Sequence, residues 1–262
     1  MKLFAQISEH QGGTDARDLI ILHGLLGASG NWRTLSRNVF SKHFRTIAVD
    51  LRNHGRSPHS RDMTYAVMAD DVVELMNSMD IERAHVLGHS MGGKVAMTLA
   101  LAHGSRVDRL VVADIAPKAY APDHAGILEV LSAVDPASYT DRDAIELALA
   151  QHIPSAAVRQ FLMKNLDRDG NSYRWKMNLP AISDAYDHIR GDIEARGTFP
   201  GKTLFVAGGA SGYLDASDML RVRARFPDAR LHVLPGVGHW VHAEAPDAFS
   251  EAVLSFLTPA SA

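Results

Sequence analysis

The stretch Ala84-His85-Val86-Leu87-Gly88-His89-Ser90-Met91-Gly92-Gly93-Lys94 sets a serine between a short aliphatic run and a run of small residues. The aliphatic run predicts a buried β-strand, and the small residues after Ser90 predict a helix that packs closely on a sheet. A Gly-x-Ser-x-Gly turn between a strand and a helix is strained and lifts the serine hydroxyl above the sheet. Gly88 and Gly92 leave room for the turn, because side chains at those positions would clash. We therefore predict that Ser90 is a nucleophile.

The same residues also match most of the phosphate-binding loop G-x-x-x-x-G-K-[ST]. Gly88, Gly93 and Lys94 fill three of its fixed positions, but the eighth position is Val95. That loop uses a serine or threonine hydroxyl to hold Mg²⁺, so the valine removes a metal ligand that the chemistry needs. The pattern therefore does not indicate nucleotide binding.

Short aliphatic runs alternate with longer amphipathic segments on both sides of this turn. Such alternation is typical of strand–helix–strand units that build a parallel sheet, whose strands are buried on both faces. The other runs that predict strands are residues 19–22, 46–49, 110–113, 203–207 and 231–234, and residues 32–40, 65–79 and 246–257 are among the predicted helices. The fold class is therefore α/β, with a mostly parallel sheet flanked by helices.

The alternation stops between Pro117 and Pro200. Apolar residues recur there at helical spacing, as in Ile127, Leu131 and Val134, and no run predicts a strand. We therefore expect a helical cap of residues 118–200, inserted between two late strands of a core formed by residues 1–117 and 201–262.

Composition excludes several classes of function. The chain has 262 residues, 27 basic and 30 acidic side chains and a net charge of -3, which gives no electrostatic footprint for nucleic acid. It contains no cysteine, so disulfides, a thiol nucleophile and thiolate metal sites are excluded. No stretch is long and apolar enough for a membrane helix, and the start of the chain does not match a signal peptide. We expect a soluble, cytoplasmic protein.

A second glycine-containing turn, His23-Gly24-Leu25-Leu26-Gly27, directly follows the first predicted parallel strand. Gly24 permits a sharp turn after which the backbone amide of Leu25 can point towards the nucleophile, together with the amide of Met91. Two such donors would stabilise the negative oxygen that forms during acyl transfer. We predict an oxyanion hole formed by Leu25 and Met91.

The general base is expected late in the chain, in a loop after the last strand. Gly236-Val237-Gly238-His239-Trp240 is such a loop, and its glycines allow His239 to reach Ser90. His242 is the main competitor, although we expect it to lie on the surface. His89 is too close to the serine in sequence to serve and is expected to pack beside the turn.

Several segments together resemble the α/β-hydrolase family: His23-Gly24, Asp50-Leu51-Arg52-Asn53-His54-Gly55-Arg56-Ser57, the Ser90 turn and Gly238-His239. Within that family, the segment around Ser90, Asp114-Ile115-Ala116-Pro117 and Gly238-His239-Trp240-Val241-His242-Ala243-Glu244 are most similar to small bacterial esterases of the YbfF type. The resemblance implies an α/β-hydrolase fold and a triad of serine, acid and histidine.

The chain departs from the family pattern at the acid. Most members carry it in a turn of the form G-x-x-D, but the matching residues are Gly208-Gly209-Ala210-Ser211. Asp114 follows the preceding strand, where the YbfF-type esterases place their carboxylate. Because the two strands end at the same edge of the sheet, a carboxylate there can also orient the histidine. We favour Asp114 over the alternative, Asp215.

The expected activity is hydrolysis of carboxylic esters or acyl thioesters of small to medium acyl groups through an acyl-enzyme on Ser90. Such chemistry needs no metal and no organic cofactor, and the expected partner is a small-molecule substrate rather than nucleic acid. Trp240, beside His239, is a candidate substrate-binding residue. Two alternatives share the fold: a hydrolase or lyase that cleaves carbon–carbon bonds, and a ligand-binding protein with little catalysis.

Overall fold

The computed structural model describes residues 1–12 and 17–258, and these residues form nine β-strands and eleven α-helices. The strands are β1 (Phe4–Ser8), β2 (Asp18–Leu22), β3 (Arg45–Asp50), β4 (Ala84–His89), β5 (Val107–Ala113), β6 (Leu166–Asp169), β7 (Ser172–Trp175), β8 (Thr203–Gly208) and β9 (Ala229–Leu234). The helices are α1 (Arg33–Asn38), α2 (Tyr65–Ser78), α3 (Met91–Ala102), α4 (Ala125–Ala133), α5 (Arg142–Ala150), α6 (Ala156–Met163), α7 (Leu179–Asp184), α8 (Tyr186–Arg190), α9 (Met219–Arg225), α10 (Val241–Glu244) and α11 (Pro246–Leu257). Within these described ranges, no helix is long and apolar enough to cross a membrane.

Seven strands form one sheet in the order β1-β3-β2-β4-β5-β8-β9. Strand β1 runs antiparallel to β3, and the other neighbouring pairs run parallel. The prediction of a mostly parallel α/β sheet flanked by helices is confirmed, although the sequence pattern did not indicate β1. The C-terminal ends of the parallel strands meet at one edge, and that edge positions the site described below.

Apolar side chains cover both faces of the sheet, as expected for parallel strands. Alternate residues of β2 point to opposite faces: Ile20 and Leu22 join the core that contains α2 and α3, whereas Leu19 and Ile21 join the core that contains Trp32 and α11. This double burial explains why the central strands are continuous aliphatic runs in the sequence.

Between β5 and β8 the chain forms helices α4 to α8 and a separate antiparallel pair, β6 and β7. The expectation that this segment contains no strand is wrong. Each of the two strands has four residues and includes charged side chains, so no apolar run marks them. The signal lies in the turn between them, where Asp169 is followed by Gly170 with a φ of 60°.

Candidate active site

Ser90 lies on the turn between β4 and α3, in a backbone conformation that is rare for any residue except glycine. Its φ is 52° and its ψ is -120°. A Cβ on Gly88 would collide with the carbonyl of Gly92, and a Cβ on Gly92 would collide with the carbonyl of Leu22 on β2. The turn is also tied to β5, because the Ser90 amide donates to the Ala113 carbonyl at 3.0 Å. Local sterics and the neighbouring strand thus fix the position of the hydroxyl.

The Ser90 side chain is the first member of a connected hydrogen-bond chain. Its Oγ donates to Nε2 of His239 at 3.0 Å, and Nδ1 of His239 donates to Oδ2 of Asp114 at 2.7 Å. The carboxylate is fully buried, whereas the imidazole is partly exposed to the cavity above the sheet. The three residues singled out by the sequence therefore lie together, in the order that nucleophilic catalysis requires.

Asp114 is held in place by the ends of β5 and β8. It has a φ of 50°, and its amide donates to the Val206 carbonyl at 2.8 Å. Its Oδ1 accepts the amide of Gly208 at 2.8 Å, and its Oδ2 accepts the hydroxyl of Ser211 as well as His239. Ser211, at the position where most family members carry an acid, thus contacts the carboxylate that orients the histidine.

The alternative acid, Asp215, forms its carboxylate hydrogen bonds within its own loop. Its carboxylate accepts the amide of Ser217 at 2.7 Å and the hydroxyl of the same residue, so it caps the short turn before α9. These bonds lower the pKa of Asp215. No hydrogen bond joins it to His239 in the described part of the chain.

The loop that carries His239 is held from two directions. Glu244 accepts the amides of Gly238 at 2.7 Å and Trp240 at 3.1 Å, one on each side of the histidine. Nε2 of His89 donates to the His239 carbonyl at 2.9 Å. His89 therefore packs beside the turn as expected, while Glu244 holds the loop on both sides of His239.

His242 is not on the surface, so that expectation is wrong. It is 8% exposed and stacks on Trp32, with 4.3 Å between the ring centroids. Burial lowers its pKa to about 3. The residue lies in α10, and it packs against Trp32 and Phe249, which are distant in the sequence or belong to the next helix. A neutral, stacked imidazole without a bond to Ser90 is a wall of the site rather than its base.

The turn after β2 lies directly against the nucleophile. A Cβ on Gly24 would be 3.2 Å from Cβ of Ser90, so only a glycine lets the backbone approach this closely. Two amides of the turn are already engaged, because Leu26 donates to Nε2 of His54 at 3.2 Å and Gly27 donates to the Gly24 carbonyl at 3.0 Å. The Leu25 amide directly precedes these two, and Met91 is the first residue of α3, where helix amides have no intrahelical partner. This arrangement supports the predicted oxyanion hole.

Two buried histidines hold this turn to the loop after β3. Nδ1 of His23 donates to the Gly24 carbonyl at 2.8 Å and its Nε2 accepts the amide of Leu51 at 3.0 Å. Nδ1 of His54 donates to the Arg52 carbonyl at 2.9 Å. Each ring thus uses one nitrogen as donor and the other as acceptor, which requires the neutral form. Burial lowers the pKa of His23, and it lowers the pKa of His54 to about 3.

A residue from the segment between β5 and β8 contacts the same turn. Asn165, which is 3% exposed, donates through Nδ2 to the Leu26 carbonyl at 2.7 Å. Leu26 has a φ of 59°, so its peptide groups are held in a strained conformation from both sides. No local pattern predicts this role of Asn165, because the contact spans 139 positions of the chain.

Above Ser90 lies a cavity of about 260 Å³. His239 and Trp240 line it, together with apolar residues of the segment between β5 and β8 that include Ile127, Val158 and Phe161. Trp240 is thus in the wall of the site. A second, smaller cavity beside Ser90 is lined by Tyr120 and Tyr186.

Comparison with known proteins finds matches over most of the chain. A family model described as the alpha/beta hydrolase fold matches residues 19–246. Esterase YbfF of Escherichia coli is 37% identical over 258 residues, which cover 98% of this chain and 99% of that protein. An sn-1-specific diacylglycerol lipase of Danio rerio is 37% identical over 255 residues, which cover 95% of this chain and 80% of that protein. A solved marine microorganism esterase is 38% identical, with a TM-score of 0.93 and coverage of 97% of this chain and 99% of that chain.

Proposed function

Because this chain belongs to the α/β-hydrolase family and is a carboxylesterase-type hydrolase, we propose that it cleaves esters and thioesters through an acyl-enzyme on Ser90. The proposed acyl groups are small to medium in size. The proposed triad is Ser90, His239 and Asp114, the proposed oxyanion donors are the amides of Leu25 and Met91, and residues 118–200 are the proposed cap.

One observation carries the proposal: the unbroken hydrogen-bond chain from the Ser90 hydroxyl through His239 to the buried Asp114. A serine hydroxyl is a weak nucleophile, and it becomes an effective one when an adjacent imidazole accepts its proton. Asp114 supports this transfer, because it fixes the tautomer in which Nδ1 is protonated and Nε2 is free to accept.

The reaction then follows from the geometry. Ser90 Oγ attacks the carbonyl carbon while Nε2 of His239 takes the hydroxyl proton, and negative charge develops on the carbonyl oxygen near Leu25 and Met91. His239 donates that proton to the departing alcohol or thiol, which leaves the acyl group on Ser90. A water molecule then loses a proton to His239 and attacks the acyl carbon. The bond to Ser90 Oγ breaks, His239 returns the proton to that oxygen, and the carboxylic acid leaves. Each amide donor typically contributes ~3 kcal/mol to stabilisation of the transition state.

The character of the cavity supports an uncharged, carbon-rich substrate. Aliphatic and aromatic cap side chains form much of its wall, so burial of apolar substrate groups contributes to binding. The named activities of the relatives, an esterase and a diacylglycerol lipase, also fit an ester carbonyl at Ser90.

The Ser90→Ala variant tests this proposal. We expect it to lose hydrolysis of p-nitrophenyl butyrate and of the matching thioester, while its circular dichroism spectrum and thermal midpoint stay close to those of the wild type. Ser132→Ala, on the exposed side of α4, is the matched control and should retain activity. Full turnover by Ser90→Ala would refute the proposal, and Ser90-dependent cleavage of a diketone alone would assign the carbon–carbon alternative instead.

A further inference from the structure

Two cavities meet at Ser90, and most residues of their walls differ. The larger one, of about 260 Å³, is lined by His239, Trp240 and Ile127. The smaller one, of about 40 Å³, is lined by Met91 and by Ile189 of the cap, and His239 is not part of its wall. The nucleophile thus stands between two spaces that differ in size and in access to the base.

The position of the base decides which part of a substrate enters which space. The leaving oxygen or sulfur must lie within hydrogen-bond reach of Nε2 of His239, which protonates it. The group attached to that atom therefore extends into the larger cavity, and the acyl chain is left with the space beside Leu25 and Met91. Resting on the proposed function, we propose that the small cavity is the acyl site, that it accepts short acyl groups, and that the large cavity holds a bulky apolar alcohol or thiol.

The size of the small cavity sets a limit on the acyl chain. A water-sized group needs roughly 10–15 Å³ of such volume, so the cavity admits about three groups beyond the carbonyl. Acetyl, propionyl and butyryl groups fit this space, and a hexanoyl group does not.

The small cavity has walls that hydrogen bonds hold in place. The hydroxyl of Tyr65 donates to the Ile189 carbonyl at 2.5 Å, and the hydroxyl of Tyr120 donates to the Tyr213 carbonyl at 2.7 Å. Nζ of Lys94 donates to the carbonyl of Lys118 at 2.9 Å and to that of Gly191. These bonds join the core to the cap and hold the wall of the small cavity in place. The wall therefore resists expansion.

A matched pair of cap variants tests the assignment. Ile189 lines the small cavity and Ile127 lines the large one, and substitution of either by alanine removes three carbon atoms from its wall. The substrates are two series: p-nitrophenyl esters from acetate to octanoate, and acetates of alcohols from ethanol to naphthol. The value of kcat/KM is measured for each substrate with the wild type, with Ile189→Ala and with Ile127→Ala.

We expect the wild-type kcat/KM to fall at least about tenfold between butyrate and hexanoate, because one methylene too many in a tight pocket typically changes it by 10-fold to 200-fold. Ile189→Ala should recover about tenfold for hexanoate and leave the ranking of alcohols unchanged. Ile127→Ala should change the ranking of alcohols and leave the acyl limit at butyrate. Ile189→Val, a smaller deletion, should show the same shift to a lesser degree and guards against misfolding of the alanine variant.

An acyl limit that moves with Ile127→Ala, or with neither variant, would overturn the inference. Failure of the proposed function has a different signature, because hydrolysis would then persist when Ser90→Ala is added to each variant. If hydrolysis depends on Ser90 but the acyl limit shifts with Ile127→Ala instead of Ile189→Ala, only the assignment of the acyl site is refuted.

Discussion

Replacement of Asp114 by asparagine should do more than remove a charge, because the surrounding bonds fix how the new amide points. The Gly208 amide donates to Oδ1 at 2.8 Å, so the oxygen of an asparagine must stay there. Its NH₂ group then faces Nδ1 of His239, which at present donates to Oδ2 at 2.7 Å. Nδ1 must become an acceptor, the proton moves to Nε2, and the imidazole can no longer accept the proton of Ser90.

The wrong tautomer should lower kcat by about 10⁴-fold, which corresponds to about 5 kcal/mol of transition-state stabilisation. The assay is the kcat for p-nitrophenyl butyrate, with circular dichroism to check folding. Asp215→Asn is the matched control and should stay within about twofold of the wild type, since the Asp215 carboxylate forms its hydrogen bonds to Ser217 in its own turn. If Asp114→Asn retains more than about a tenth of the wild-type kcat, or if Asp215→Asn is the more damaging change, the reasoning is refuted.

The same geometry predicts a rescue. The Ser211 hydroxyl donates to Oδ2 of Asp114, so a side chain at position 211 reaches the point where the histidine needs a carboxylate. The double variant Asp114→Asn, Ser211→Asp should recover about a hundredfold of the lost kcat, because the origin of the carboxylate along the backbone is immaterial. No recovery would mean that position 211 cannot orient His239.

Three further predictions concern the turns around Ser90. Gly88→Ala should lower the free energy of unfolding in urea by more than about 3 kcal/mol, because the Cβ of the alanine would collide with the backbone at Gly92. A stable, active variant would contradict this prediction. Asn165→Ala should lower kcat about tenfold with little change in KM, since it removes the hydrogen bond to the Leu26 carbonyl in the turn that contains Leu25. An unchanged kcat would show that this hydrogen bond contributes to stability alone. For His54, whose pKa falls from 6.5 to about 3 on folding, the unfolded chain binds the extra proton, so stability declines as the pH falls below 6.5. Between about pH 7 and about pH 5, the free energy of unfolding should fall by about 2 kcal/mol more for the wild type than for His54→Gln. Equal decreases in urea unfolding would contradict a buried, neutral imidazole.

The sequence predicts the parts of the fold that are buried on both sides. Central strands such as β2 and β5 are aliphatic runs because both faces meet apolar cores. Strand β1 and the β6–β7 pair lack that signature, since an edge strand or a small exposed hairpin buries only part of its surface. Their formation depends on pairing, with β3 in the first case and across the turn at Gly170 in the second.

Some residues of the site can be predicted from the local sequence, whereas others depend on contacts between distant parts of the chain. Glycines in the sequence mark the turns that contain Ser90 and His239. Asp114 is marked by its position at the end of a predicted strand. Ser211 and Asn165 act through contacts across 97 and 139 positions, which no local pattern encodes. The burial of His242 escaped prediction for the same reason, because its stacking partner, Trp32, comes from the start of the chain.

The most direct test of the account is covalent labelling with a fluorophosphonate, followed by mass spectrometry of the digested protein. The reagent reacts with a serine only when a neighbouring base activates it. We predict a single labelled peptide that contains Ser90, loss of the label in Ser90→Ala, and slow labelling in His239→Ala. Labelling of another residue, or equal labelling of Ser90→Ala and the wild type, would contradict the claim that Ser90 carries the acyl group.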